Sequence, residues 1–234
     1  MANEPEKIGL YVKLMDALYF QGYYIIRDRR EQRQIFDRVV ALGERAQELT
    51  RELAGAGPEL ARQSPADVAA ALQSVPEAAA VHFWSAAGWG LWGVTHSPLN
   101  AVRRGVATKV RRHSEIASLL DERYENAGGL RFLGQLHASA PRVPFITGWV
   151  DRELGVSLLR QAVSLSRQDP RNLLFLAQAI LEHEPANRNE AVALLRELDR
   201  YSSHPEELAE HHETLVEAQE LLAELVEPDG SAGR

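Results

Sequence analysis

A short pattern of one large, one medium and one tiny residue returns four times in this chain, and nothing else in it constrains the fold as much. It reads Leu18-x-x-Gln21-Gly22-x-x-Ile25, Trp84-x-x-Ala87-Gly88-x-x-Leu91, Leu130-x-x-Leu133-Gly134-x-x-His137 and Leu173-x-x-Leu176-Ala177-x-x-Ile180. Spacings of three and four residues place these positions on one helical face. A glycine or alanine at the centre of that face lets a second helix approach closely. One helical hairpin cannot bury such a face alone, so hairpins of this kind stack and share a continuous core. The expected architecture is all-α.

Local signals divide the chain accordingly. Leu10, Leu14, Leu18 and Ile25 keep helical spacing, a polar turn runs from Arg27 to Arg33, and Ile35, Val39 and Leu42 resume the spacing, which makes one hairpin. Gly55, Gly57 and Pro58 mark the clearest break, and Ser64-Pro65-Ala66-Asp67 restarts a short helix with a cap and a first-turn proline. A helix carrying Trp84, Trp89 and Trp92 is predicted from Pro76 to before Ser97-Pro98, with a partner over Leu99 to Leu120. The third first-helix begins near Ala127-Gly128-Gly129 and ends at Ala140-Pro141, leaving a loop over 142–150 that holds Phe145 and Trp149. Gly155-x-x-x-Leu159-x-x-Ala162 returns 36 residues later as Ala191-x-x-x-Leu195-x-x-Leu198. A last amphipathic helix, Pro205 to about Val226, is predicted to cap the stack. Residues 5–226 thus read as one helical repeat domain and 227–234 as a disordered tail.

The composition excludes more than it selects. With 45% hydrophobic residues in 234, the chain can bury a full core. Its net charge of −7 argues against a dominant nucleic-acid or anionic-membrane role, either of which needs a concentrated basic face, the local exception being Arg103-Arg104, Lys109 and Arg111-Arg112. That run has no interleaved aromatics and reads as a solvated helix face. The absence of cysteine removes disulfides, thiolate metal sites and a cysteine nucleophile. The polar, acidic start and the charges that interrupt Ile8 to Ile26 predict neither a signal peptide nor a membrane span. A cytoplasmic location is expected, or a periplasmic one if an export signal has been removed.

The recurring pattern resembles the first-helix signature of the tetratricopeptide repeat, which implies a TPR-like α-solenoid of about four hairpins with a C-terminal capping helix. The order of features is more specific. His82-Phe83-Trp84-Ser85-Ala86-Ala87-Gly88-Trp89-Gly90 is followed by Ala127-Gly128-Gly129-Leu130-Arg131-Phe132-Leu133-Gly134, a proline-containing loop, the Gly155 to Ala162 helix and Arg171-Asn172-Leu173-Leu174. This order resembles the T component of TRAP-type solute transport systems, over most of residues 15–200. The resemblance implies an all-helical, non-enzymatic protein that assists a solute-binding protein, handles an apolar or carboxylate solute and can form oligomers.

Candidate site residues follow from exposure arguments. Trp84 and Trp92 lie two turns apart and either pack between hairpins or line a groove, where Tyr124 is a further candidate. Phe145 and Trp149 are placed to cover a groove mouth from the loop. Arg131, just inside a helix start, either holds an anionic group or pairs with Asp121 or Glu122. His204, Glu207, His211 and His212 form the best metal-ligating cluster, which a solvated acidic helix also produces by chance, so neither metal nor cofactor is expected. His183 reads as a structural partner of a helix end. With no phosphate loop, zinc-protease helix or nucleophile elbow, the leading reading is a non-enzymatic binding module for a protein segment or a small solute. The transport accessory role is its rival, and an enzyme with histidine and carboxylate groups in the groove is a third, weaker class.

Overall fold

The computed structural model describes residues 4–201 and 208–226, and among these no strand occurs. The long helices are α1 (Glu4–Phe20), α2 (Arg29–Leu53), α4 (Ala78–Thr95), α6 (Val106–Leu120), α7 (Tyr124–Ser139), α8 (Arg152–Leu165), α9 (Pro170–His183), α10 (Arg188–Asp199) and α11 (Leu208–Val226). Two short ones, α3 (Pro65–Leu72) and α5 (Pro98–Arg103), fill the connections. Capping follows from sequence: Asp28, Ser64, Ser97, Asp151 and Asp169 each accept a backbone N–H of the first turn. Pro205, Glu207 and His204 lie outside the described residues, as does 227–234.

Consecutive long helices pack on one another, and α1 also meets α4, α4 meets α7, α7 meets α9 and α9 meets α11. The chain therefore forms two layers, α1, α4, α7, α9 and α11 in one and α2, α6, α8 and α10 in the other. The small residues set the spacing between them. A Cβ on Gly22 would stand 2.8 Å from Phe36 of α2, and one on Gly134 would stand 2.6 Å from Leu159 of α8. Gly88 of α4 faces Val39 of α2, the preceding long helix, at 2.6 Å, so the second repeat uses its tiny position against an earlier neighbour.

Two expectations are corrected locally. The helix expected from Leu99 to Leu120 is broken at Gly105, whose φ of +62° turns the chain between α5 and α6. On α1 the buried stripe is Ile8, Val12, Met15 and Leu18, while Leu10 is 60% exposed; the apolar positions there fit two faces, and packing on α2 selects one. The apolar core itself falls into one cluster under α1 to α6 and another under α8 to α11, with a small one around Ala127, Leu130 and Ala162 beside α7.

Candidate functional site

A cleft of about 930 Å³ opens on the face of the first layer. Its apolar half is walled by Gly90, Leu91 and Val94 of α4, Val102 of α5, Val106 and Val110 of α6, Leu136 of α7, and Val143 and Ile146 of the 140–151 connection. Its polar half is walled by Asp16 and Tyr19 of α1, Tyr23 and Tyr24, Glu125, Arg131, Arg171, and Glu213 and Glu217 of α11. The first and last helical segments meet at this end, where Arg27 pairs with Glu213 at 3.3 Å, and Glu217 accepts from Gln178 at 2.8 Å.

Local backbone geometry brings the aromatic residues here. At the end of α1 the chain widens into a π-turn, Gln21–Ile25, a departure that is frequent at functional sites. It sets Tyr23 against Tyr19 at 5.8 Å and against Tyr24 at 4.7 Å, and Tyr19 meets the edge of Trp84 at 5.4 Å. Phe83 extends the cluster to Phe132, stacked at 5.2 Å, and to Tyr124 at 5.4 Å. Burial, together with Glu213 and Glu217, raises the Tyr23 pKa, so its phenol stays protonated at neutral pH.

A buried polar network forms the floor of the polar half. Arg131, 2% exposed, donates to Asp169 at 3.3 Å and to Asn172 at 3.0 Å. Arg171 also donates to Asp169, with Nη2 2.6 Å from the Oδ2 that Arg131 reaches and Nε 2.9 Å from Oδ1. Burial alone would push the Asp169 carboxyl up, but Arg131 and Arg171 hold it below the ordinary value, and burial lowers Arg131 only to about 10, so all three are charged at pH 7. The network also fixes an unusual turn. Glu125, Asn126 and Ala127 have φ of +49°, +57° and +62°, a left-handed run that costs roughly 1–2 kcal/mol per residue. Asn172 Nδ2 donates to the Asn126 carbonyl at 2.9 Å and the Ser166 hydroxyl donates to the Asn126 side chain at 3.0 Å, holding that turn in place. Gly128 and Gly129 follow it because a Cβ would meet Phe83 at 2.3 Å and Ser118 at 2.4 Å.

The structure separates the six residues singled out by sequence. Trp84 and Arg131 line the cleft. Trp92 is 3% exposed and turned away, donating to Asp37 at 2.7 Å and stacking on His96 at 3.8 Å. Tyr124 lies behind Phe83, its phenol pushed up to about 12 by burial. Trp149 packs on the edge of His137 at 5.4 Å under the Arg111 guanidinium at 4.8 Å. Phe145 stands fully exposed on the rim. Arg131 takes Asp169 as its partner in place of Asp121 or Glu122, a choice made by the docking of α9, which sequence distance hides.

Sequence comparison adds no relative: no family model matches the chain, and no curated protein matches it. Tyr19, Tyr23, Tyr24 and Arg171 were not among the candidate site residues that the sequence suggested. Their signals were the aromatic spacing around Gly22 and the Asp-Pro-Arg-Asn run that opens α9. Among the described residues no group of three or more histidines or carboxylates converges as a metal site. His204 and Glu207 of the expected cluster lie outside those residues, and His211 packs on Tyr201 at 5.7 Å. His183 hydrogen-bonds the Ala138 carbonyl at 2.8 Å. A buried pair, His82 and His113, with Nδ1 atoms 3.0 Å apart, joins α4 to α6 within the core.

Proposed function

We propose that this protein is a non-enzymatic binding protein with a TPR-like two-layer architecture, and that its cleft holds a small amphipathic solute. The observation that carries this reading is the cleft itself: its volume of about 930 Å³ lies in the range of small-molecule sites, and aliphatic and aromatic walls give way at one end to a few convergent polar groups. Of the two occupants left open by sequence, a protein segment and a solute, enclosure by segments from both ends of the chain favours the solute. The apolar body lies between Leu91, Val102 and Ile146, and its polar end reaches the cluster of Tyr19, Tyr23 and Tyr24. Binding is assigned in place of catalysis because the nearby charged groups are committed: Glu213 to Arg27, Glu217 to Gln178 and Arg171 to Asp169.

The order of features shared with TRAP-type T components supports a narrower second reading, in which the cleft hands its solute to a solute-binding protein. The carbonyl-supported turn before Gly128-Gly129 gives that shared segment a physical role in shaping the cleft.

The test uses Gly90, which lines the cleft and has nothing within 4 Å of a built Cβ. Gly90→Phe is expected to place its ring in the cleft without disturbing packing. Titration with a dansyl-labelled undecanoic acid is expected to show saturable binding to the wild type and at least a tenfold loss in the variant. No saturable binding, or equal binding to a folded Gly90→Phe protein, would sink the reading.

A further inference from the structure

We propose that the rim of the cleft docks on an anionic phospholipid surface, which gives the bound solute a route between the bilayer and the cleft; this second step rests on the solute reading above. The first observation is an exposed apolar rim. Phe145 is 107% exposed, and Leu99, Val102 and Val94 are also exposed, while Val94, Val102, Val143 and Ile146 border the same opening. Single exposed apolar residues are ordinary, but a cluster around a cleft mouth marks an interaction surface.

The second observation is how Phe145 is held. Its φ of +63° is a left-handed conformation that a bulky side chain rarely adopts. The turn around it is hydrogen-bonded: Thr147 Oγ1 donates to the Pro141 carbonyl and accepts the Val143 N–H at 2.8 Å, and the Thr147 N–H reaches the Val143 carbonyl at 2.9 Å. The phenyl ring is therefore held outward by a built turn, against both solvation and backbone preference.

Charge decides what the rim meets. Residues 94–108 and 140–150, which supply the rim, contain Arg103, Arg104 and Arg142 and no Asp or Glu, in a chain whose net charge is −7. Arg103 and Arg142 are exposed beside Leu99 and Phe145, and Arg29 joins them by donating to the Val94 carbonyl at 3.2 Å. Apolar tips ringed by arginines match the interfacial region of a bilayer, where the tips enter the headgroup and acyl boundary and each basic group gains from anionic lipid. No helix among the described residues is long and apolar enough to cross a membrane, so the contact is peripheral.

Co-sedimentation with vesicles of phosphatidylcholine and phosphatidylglycerol at 7:3 tests this. Wild type is expected to pellet, and more weakly with phosphatidylcholine alone. Partitioning is expected to fall at least tenfold in Leu99→Ala/Phe145→Ala and about fivefold for each arginine removed in Arg103→Ala/Arg142→Ala. Phe145→Trp is expected to shift its emission to the blue on the anionic vesicles. None of these residues lines the cleft, so all variants are expected to bind the dansyl probe in solution as wild type does. Wild type left in the supernatant, equal pelleting of Leu99→Ala/Phe145→Ala, or equal pelleting with neutral vesicles would overturn the docking proposal. So would sedimentation velocity showing a wild-type dimer that Leu99→Ala/Phe145→Ala abolishes, which would assign the rim to a second copy. Loss of probe binding by wild type without vesicles would instead overturn the solute reading beneath it.

Discussion

Lowering the pH from 7 to 5 should destabilise this protein through His82 and His113. Both rings are buried between α4 and α6, and with Nδ1 atoms 3.0 Å apart one must donate while the other accepts. Burial, aided by Arg112 and Lys109, lowers His113 from 6.5 to about 3, and burial, His113, Arg112 and Arg51 carry His82 in the same direction. The unfolded chain therefore takes up protons below pH 6.5 that the folded chain refuses. Stability is fully present above 6.5 and is lost as pH falls from there toward 3. At pH 5, one and a half pH units below the free-histidine value, His113 alone accounts for about 2 kcal/mol. His82 adds to the loss with the same sign. Urea unfolding at pH 7, 6 and 5 checks this, with His113→Gln as the comparison, and the variant is expected to lose clearly less stability over that range. A wild type equally stable at pH 7 and 5, or one with the same pH slope as His113→Gln, would refute the argument.

Three further predictions concern the helical frame. Arg131→Met or Asp169→Asn breaks a buried ion pair and unsettles the left-handed turn at 125–127, so each is expected to cost about 3–5 kcal/mol in urea unfolding; a cost under about 1 kcal/mol would contradict the network described. Gly155→Ala puts a Cβ 2.7 Å from the Ala138 backbone nitrogen and 3.0 Å from the Gly134 carbonyl, backbone atoms that cannot step aside. It is expected to destabilise by about 1–3 kcal/mol, whereas Gly90→Ala, with open space around it, is expected to stabilise by roughly 0.5–1 kcal/mol.

The helical layers were legible because their signals are local. Gly22 and Gly134 announced close helix contacts, Ser64 and Asp151 announced starts, and all four act as read. The cleft was only half legible. Trp84 and Trp92 share a helical spacing, but that spacing says only that they share a face, and the docking of α2 beside Asp37 drew Trp92 into the core. Arg131 meets Asp169 across 38 residues, a pairing that depends on how α9 enters the stack. Tyr23 and Tyr24 reach the cleft through a π-turn, which breaks the periodicity that sequence reading relies on. The helix expected over Leu99 to Leu120 contains Gly105, whose left-handed φ splits it in two.

The solute reading requires that the cleft hold a small amphipathic molecule. A crystal structure with 12-bromododecanoic acid, read from the anomalous signal of bromine, tests it most directly. One bromine peak is expected between Leu91, Val102 and Ile146, with the polar end of the chain toward Tyr19 and Tyr23. A peak elsewhere on the protein, or none at saturating ligand, would contradict it.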